Sequence, residues 1–174
     1  SIKLFISVYN AQTELNIISE LLMPITPSIN DCPCGSGKDY IDCCQPLHKG
    51  QPASSAEALM RSRFSAFALQ LEAYLLASWH PETRPNQLNL DASTQWKRLE
   101  IVSAKNDNQQ GEVHFKATYH ELDGWHLLEE TSQFYFENNH WFYHSGNYQP
   151  QILNPSRNDS CPCGSGKKHK KCCL

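Results

Sequence analysis

Residues 32–44 read Cys-Pro-Cys-Gly-Ser-Gly-Lys-Asp-Tyr-Ile-Asp-Cys-Cys, and residues 161–173 read Cys-Pro-Cys-Gly-Ser-Gly-Lys-Lys-His-Lys-Lys-Cys-Cys. Nine of the thirteen positions are identical, and the two stretches together contain all eight cysteines of the 174-residue chain. Agreement at so many positions, several of them cysteine, is far beyond chance, so one module occurs twice. The four differing positions make the second copy much more basic than the first.

The spacing of these cysteines suits a tetrahedral metal ion. Residues two apart in an extended chain point to the same side, so Cys32 and Cys34 can reach one ion. Segment 38–44 is long enough for about two helical turns and can deliver Cys43 and Cys44 from the opposite side. Four thiolates favour zinc or an iron–sulfur cluster over hard cations, and we expect zinc because an adjacent Cys-Cys pair is poorly spread for separate irons.

Four protein ligands close the coordination shell, which predicts structural sites and no catalytic ones. We expect two zinc ions per chain. The predicted ligands are Cys32, Cys34, Cys43, Cys44, Cys161, Cys163, Cys172 and Cys173.

Disulfides and free thiols are the alternatives to metal. Disulfides need an oxidising compartment. No apolar run approaches the roughly 18 residues of a membrane-spanning helix, and residues 1–29 carry Glu14 and Glu20 where a signal sequence needs a continuous apolar region. The sequence therefore predicts a cytoplasmic protein with no membrane partner. A net charge of -3 gives no global indication of nucleic-acid binding either.

Between the two modules the sequence predicts helices followed by strands. Residues 54–78 contain no Pro or Gly and carry apolar residues at intervals of three and four, which predicts one long helix that ends before Pro81. A short helical segment is expected near residues 92–96. Strands are predicted over 97–104, 111–120, 125–136 and 140–145, with turns at Asp123-Gly124 and Asn138-Asn139. This order predicts an α+β domain with an antiparallel meander.

The motifs also resemble a known family. Cys-x-Cys-Gly-Ser-Gly-Lys followed by a Cys-Cys pair resembles the SEC-C motif of the bacterial preprotein translocase ATPase, where the motif binds zinc and contacts a secretion chaperone and ribosomes. One such motif at each end of a short chain resembles the YchJ-type family of uncharacterised bacterial proteins. Residues 56–67 (Ala-Glu-Ala-Leu-Met-Arg-Ser-Arg-Phe-Ser-Ala-Phe) and 79–85 (Trp-His-Pro-Glu-Thr-Arg-Pro) read like that family's middle domain.

The resemblance implies a nuclear-transport-factor-2-like fold, in which a curved antiparallel sheet wraps around helices like a cone. It implies zinc as well, but no established activity. We expect an N-terminal extension over residues 1–29, a first zinc module over 30–50, the cone-like α+β domain over 51–150, and a linker with the second zinc module over 151–174.

Three residues of the middle domain are candidates for lining a pocket. Arg63 lies close to the apolar stripe of the predicted helix, and a buried charge there needs a partner, for which Glu130 or its neighbour Glu129 is available. The pair is interpreted either as a structural ion pair or as a pocket lining. His80 ends the helix and either packs there or acts as a ligand or acid–base group. The sequence has no Gly-rich phosphate loop, nucleophile elbow or His-Glu-x-x-His helix, so no catalytic residues are predicted.

Basic residues crowd the second cysteine module. They are either a solvated tail that offsets the charge of the metal–thiolate unit, or a docking surface for an acidic protein or ribosomal RNA. No basic stripe accompanies the aromatic residues of the sheet, so sequence-specific DNA binding is not expected. We expect a zinc-binding adaptor protein, and the alternative is an enzyme or small-ligand binder that uses the middle domain. The candidate partner-binding residues are Arg157, Lys167, Lys168, Lys170 and Lys171.

Overall fold

Helices precede a single sheet in the computed structural model, which describes residues 31–174. The predicted extension over residues 1–29 lies outside the described residues. The α-helices among the described residues are α1 (Gln45–His48), α2 (Ala56–Ala68) and α3 (Glu72–Ala77), and short 3-10 helices span Tyr40–Asp42 and His169–Lys171. Ser55 caps α2, because its hydroxyl accepts a hydrogen bond from the backbone N–H of Ala58. Within the described part of the chain, no helix has the length and apolar character needed to cross a membrane.

The prediction of one helix over residues 54–78 is wrong, because the chain turns between α2 and α3. Gln70 adopts a left-handed conformation with a φ of 58°. The N–H of Leu71 donates to the carbonyl of Ala66 (2.8 Å), and the N–H of Gln70 donates to the carbonyl of Phe67 (3.2 Å). These two bonds form a Schellman motif. The sequence hides the motif because Gln stands at the position that Gly or Asn usually takes.

Four antiparallel strands follow in the order β1-β2-β3-β4, and each pairs with the next. This arrangement confirms the predicted α+β class, with helices packed on a four-stranded antiparallel sheet. The sheet has twelve to fourteen residues in each strand. The strands are β1 (Gln95–Asn106), β2 (Gln110–Glu121), β3 (Gly124–Glu137) and β4 (His140–Leu153).

Two strand boundaries differ from the prediction. Residues 92–96 form no helix, because β1 already begins at Gln95 and pairs with His120 of β2. Strand β4 continues beyond the predicted end at Ser145, and its last residues stay paired with β3 as far as Leu153 opposite Trp125. Seven of the eight additional residues are exposed and only Leu153 is half-buried, so the segment lacks the alternation that marks a strand.

The core lies between α2 and the inner face of the sheet. Alternate residues of β2, among them Val113, Phe115 and Ala117, are buried against Leu59 and Phe64 of α2. The predicted alternation of β2 therefore places its apolar side inward. The opposite, outer face of the sheet carries the intervening residues.

The two cysteine modules make different contacts with this domain. The first contacts α2, where Cys32 Sγ lies 3.6 Å from Ser65 Oγ. The second covers part of the outer face, where the ring of His169 lies 6.3 Å from that of Trp125 and leaves Trp125 buried. Gly164 is also close to β1, since a Cβ there would lie 2.7 Å from the side chain of Arg98.

Candidate metal centres and interior cavity

The four cysteines of the first module converge on one point. Their sulfur atoms all lie within 4.8 Å of one another. Cys34 Sγ is 3.6 Å from Cys43 Sγ, which in turn is 3.9 Å from Cys44 Sγ. Tetrahedral zinc with bonds of about 2.3 Å separates its sulfurs by about 3.8 Å. The cluster therefore has the dimensions of a metal site.

Backbone hydrogen bonds shape the turn that presents the first two cysteines. The N–H of Cys32 donates to the carbonyl of Lys38 (2.9 Å), and the N–H of Gly35 donates to the carbonyl of Cys32 (3.1 Å). Gly35 and Gly37 both have φ values near 74°, a conformation that side-chain-bearing residues avoid. The backbone conformation of this turn therefore requires glycine at positions 35 and 37.

The second module repeats this geometry. Cys161, Cys163, Cys172 and Cys173 again place their sulfurs within 4.8 Å of one another. The N–H of Cys161 donates to the carbonyl of Lys167 at 2.8 Å, as Cys32 does to Lys38. All eight cysteines are described and none forms a disulfide. Each cluster could hold one metal ion.

Crowding of the thiols strongly perturbs their ionisation in the first module. Hydrogen bonds with Cys34 and Cys44 push the pKa of Cys32 far below its ordinary value of 9.0. The contacts with Cys32 and Cys34, together with burial, push the pKa of Cys44 far above that value. The neighbouring thiols therefore stabilise one thiolate by hydrogen bonds, whereas the negative charge of that thiolate disfavours ionisation of the others. A divalent cation at the centre would allow all four to ionise.

A histidine that the sequence analysis did not single out joins the first module to the core. His48 Nε2–H donates to the carbonyl of Ser62 on α2 (2.9 Å), so Nδ1 is free to accept from the hydroxyl of Tyr40 (2.8 Å). The ring of His48 also meets that of Tyr74 edge-on at 4.5 Å. Tyr40 is one of the four positions at which the modules differ. This difference between the modules is the sequence signal that could have pointed to the contact between Tyr40 and His48.

A cavity of about 330 Å³ lies between α2 and the inner face of the sheet. Its lining is mainly apolar, and Arg63 and Glu130 are the charged groups that the described part of the chain contributes. Aromatic rings supply much of the wall, namely Phe64, Phe67, Trp79, Trp96, Phe115, Tyr143 and Tyr148.

The predicted ion pair between Arg63 and Glu130 is wrong. Arg63 is only 3% exposed, and its Nη1 donates to the carbonyl of Leu75 (2.8 Å) and to the hydroxyl of Ser78 (2.7 Å). The carbonyl lies near the C-terminus of α3, where a cation is favoured by the helix dipole. Burial lowers the pKa of Arg63 to about 10, so the side chain stays charged at neutral pH.

Aromatic rings complete the surroundings of the two charged groups. The guanidinium carbon of Arg63 lies 4.5 Å from the ring centre of Tyr143 and 5.1 Å from that of Trp79. Glu130 Oε1 accepts hydrogen bonds from the hydroxyls of Ser132 (2.6 Å) and Tyr143 (3.2 Å). Tyr143 therefore bridges the two charges. Burial and the carboxylate of Glu130 raise the pKa of Tyr143, so its phenol remains a donor.

The middle domain and both cysteine modules each match a known protein family. Residues 55–146 match the family described as YchJ, middle NTF2-like domain, and residues 30–46 and 157–174 match the SEC-C motif. A UPF0225 protein of Photorhabdus laumondii is 41% identical, over 82% of this chain and 97% of that protein. The chain belongs to the YchJ (UPF0225) family. A UPF0225 protein of Vibrio cholerae is 40% identical, over 82% of this chain and 98% of that protein.

Solved structures support the same fold for this YchJ-family chain. The crystal structure of a SEC-C motif containing protein from Psychrobacter arcticus is 31% identical, covers 84% of this chain and 96% of that one, and has a TM-score of 0.59. The solution structure of a SEC-C motif containing protein from Rhodopseudomonas palustris is 30% identical, covers 71% and 99%, and has a TM-score of 0.60.

In this YchJ-family chain the two SEC-C modules differ in exposure. Cys32, Cys34 and Cys44 of the first module are buried, whereas Cys172 and Cys173 of the second are exposed. The predicted partner-binding residues, Arg157, Lys167, Lys168, Lys170 and Lys171, are all exposed.

The three predicted pocket residues are not all brought together. Arg63 and Glu130 line the cavity of the YchJ-type domain, but His80 does not. The structure places His80 beside His144, with their ring centres 5.2 Å apart. Sequence reasoning missed this neighbour because the two histidines are 64 positions apart, on different elements.

Proposed function

We propose that this chain is a zinc-binding adaptor that docks on an acidic partner through its second SEC-C module. The observation that carries the proposal is the contrast between two copies of one module. The first is packed against α2, with Cys34 fully buried. The second contacts the sheet through His169 and leaves its basic side chains exposed. The exposed, concentrated positive charge on a rigid module supports a docking role.

Zinc is the metal we assign to both modules. Eight thiols in two tetrahedral groups match the soft-ligand preference of zinc, and four protein ligands close each shell. When bound, the ion supplies charge that lets four thiolates coexist. Metal analysis of freshly reduced protein should give two zinc ions per chain, and Cys172→Ser should give one.

Charge distinguishes the two modules as docking surfaces. In the second module, the positive charge of five basic side chains exceeds the combined negative charge of Asp159 and a doubly negative zinc–tetrathiolate unit. In the first, Asp31, Asp39 and Asp42 outnumber Lys38 and Lys49 even before the metal unit is counted. An anionic surface of a protein or ribosome therefore favours the second module.

Co-sedimentation with purified ribosomes at low salt tests this docking. The variant with Glu at Lys167, Lys168, Lys170 and Lys171 should lose at least about tenfold in affinity, because charge attraction becomes repulsion. The matched control carries Glu at the exposed Lys38 and Lys49 of the first module and should bind as the wild type does.

Each outcome of the docking test is informative. Raised salt should weaken wild-type binding. If the wild-type chain does not sediment with ribosomes, the ribosomal partner is excluded, and a pull-down with the same variants tests a protein partner. Equal binding by wild type and the fourfold variant in both assays would contradict the adaptor proposal. Metal analysis that finds two zinc ions per chain in each variant establishes that its modules are intact.

The cavity supports a second candidate function, binding of a small, largely aromatic ligand. Its volume of about 330 Å³ falls in the range of ligand pockets. Among residues 31–174, hydrogen bonds engage Nη1 of Arg63 and Oε1 of Glu130 alone, which leaves polar atoms of both groups for a ligand. Titration with small aromatic acids should change tryptophan fluorescence through Trp79, which lines the cavity. Trp79→Phe should reduce this change, whereas Trp125→Phe on the outer face should preserve it.

A further inference from the structure

A cluster of histidines and carboxylates lies outside both the cysteine modules and the cavity. It consists of His80 and Glu82 in the segment after α3, Glu137 at the end of β3, and His144 on β4. One donor atom from each of His80, Glu82 and His144 lies within 4.8 Å of the other two. Glu82 Oε2 is 3.6 Å from His144 Nε2 and 4.0 Å from His80 Nδ1.

Hydrogen bonds fix the segment that carries His80 to strand β4. The N–H of His80 donates to the carbonyl of Tyr143 (2.7 Å), and the N–H of Tyr143 donates to the carbonyl of Ser78 (3.0 Å). The hydroxyl of Thr83 donates to the carbonyl of His144 (2.6 Å). The two imidazoles are therefore held at a fixed separation by the backbone, which is how ligand sites are preorganised.

The far nitrogen of each imidazole has a polar partner of its own. Glu137 Oε1 lies 3.4 Å from His80 Nε2, and Ser145 Oγ lies 3.1 Å from His144 Nδ1. Histidines that bind metals commonly donate their second ring N–H to a carboxylate or other oxygen in this way. His80 Nδ1 accepts a hydrogen bond and so carries no proton, and a metal at His144 Nε2 would require the tautomer in which Nδ1–H donates to Ser145 Oγ. Both nitrogens face Glu82.

The backbone N–H of Glu82 already donates to His80 Nδ1, at 3.3 Å. This bond is long for its type, and it keeps the proton of the ring on Nε2. An ion that binds Nδ1 replaces it with a stronger contact. The existing bond therefore prepares the tautomer that a metal needs.

The exposures of the side chains fit a site that closes on an ion. The side chains of His80 and His144 are 12% and 22% exposed, whereas that of Glu82 is 75% exposed. Ligand atoms around a metal with bonds of about 2.1 Å lie about 3.4 Å apart in a tetrahedron. The two gaps to Glu82 exceed this by about 0.2 and 0.6 Å, which rotation of the exposed Glu82 side chain can remove, and the two imidazoles offer nitrogen atoms within 4.8 Å of each other.

We propose that His80, Glu82 and His144 form a third metal site, with Glu137 as the residue that orients His80. Two imidazoles and one carboxylate suit a divalent first-row transition ion such as zinc, cobalt or iron. Three protein ligands leave coordination positions open for water or a small ligand, unlike the closed cysteine clusters. The site thus differs from the cysteine modules in its nitrogen and oxygen ligands and in its capacity to bind a further ligand at the metal.

A second cluster on the chain provides a matched control. Glu121, Asp123 and His126 also place donor atoms within 4.8 Å of one another. This cluster has one imidazole, whose Nε2 is already bonded to Asp123 at 2.8 Å and whose ring stacks on Tyr119. His126→Asn leaves the third site untouched.

Cobalt binding to the full-length protein, prepared with two zinc ions per chain in the cysteine modules, tests the proposal. Calorimetric titration with Co²⁺ should give one ion per chain beyond the zinc. The visible spectrum should show cobalt with nitrogen and oxygen ligands and no thiolate charge-transfer band. Affinity should fall at least about tenfold in Glu82→Gln and in His144→Asn, fall about tenfold in Glu137→Gln, and stay unchanged in His126→Asn.

Three results would overturn the third site. The first is a wild-type protein that binds no cobalt beyond the zinc, and the second is a charge-transfer band that accounts for all bound cobalt. The third is equal binding by wild type and Glu82→Gln. Glu82 is highly exposed, so this variant is expected to fold, and a thermal melt verifies it. If His144→Asn fails to fold, the two Glu→Gln variants decide the question.

Discussion

The two modules should differ in how strongly they support the core, and equivalent cysteines test this. Cys43 and Cys172 occupy the same position in their modules. We expect Cys43→Ser to destabilise the middle domain by about 3 kcal/mol and Cys172→Ser by less than about 1 kcal/mol. The value of about 3 kcal/mol for Cys43→Ser is the sum of three contacts between the first module and the helices, at about 1 kcal/mol each. They are His48 with the Ser62 carbonyl, Cys32 with the Ser65 hydroxyl, and the ring of His48 with that of Tyr74.

Thermal unfolding measures this difference. For a core of about 100 residues, 1 kcal/mol corresponds to about 4–8 °C in Tm, so Cys43→Ser should lower the Tm by about 12–24 °C. Near-ultraviolet circular dichroism follows the core through the buried Trp141. Metal analysis should show that each variant has lost one zinc ion. Equal shifts of Tm in the two variants, or a larger shift in Cys172→Ser, would refute the reasoning.

Three other substitutions have outcomes that the structure fixes. Gly111→Ala should destabilise the protein by about 1–3 kcal/mol in urea unfolding, because the new Cβ would lie 2.5 Å from that of Ala56 and 3.1 Å from the ring of Trp141. His169→Phe should stabilise the second module by about 1–2 kcal/mol, as judged by resistance to chelation, because both ring nitrogens of His169 are buried without a hydrogen-bond partner among the described residues. Burial lowers the pKa of His48 from its ordinary value of 6.5, so its stabilising effect is complete above that pH and is lost as the pH falls. The stability of wild type over His48→Phe should therefore shrink between pH 7 and pH 5 in denaturant titrations.

Local patterns were enough to predict much of this structure. The cysteine spacing predicts each cluster because its ligands lie within thirteen residues of one another. The alternation of β2 predicts its buried side for the same reason, since strand periodicity is a property of neighbouring residues. The turn at Asn138-Asn139 was also predictable, because both residues tolerate the left-handed conformation that they adopt, with φ values of 50° and 63°.

Features set by distant contacts were not predictable from the sequence alone. Arg63 takes its partners from α3 because the turn at Gln70 brings that helix alongside α2. His80 and His144 meet because the segment after α3 pairs with β4. Neither the helix turn nor the pairing has a signature in residue types, so the sequence could propose Arg63 and His80 as candidates but not identify their neighbours.

The long final strand has a consequence for self-association. Strand β4 has β3 on one side, and on the other the segment at Trp79 covers it near Tyr143, whereas Tyr148 and Ile152 are exposed further along. An uncovered strand edge with apolar side chains is a template on which another chain can add a strand. Pro150 interrupts that template, because proline has no N–H to donate. Its replacement by threonine should therefore promote fibril formation at high protein concentration.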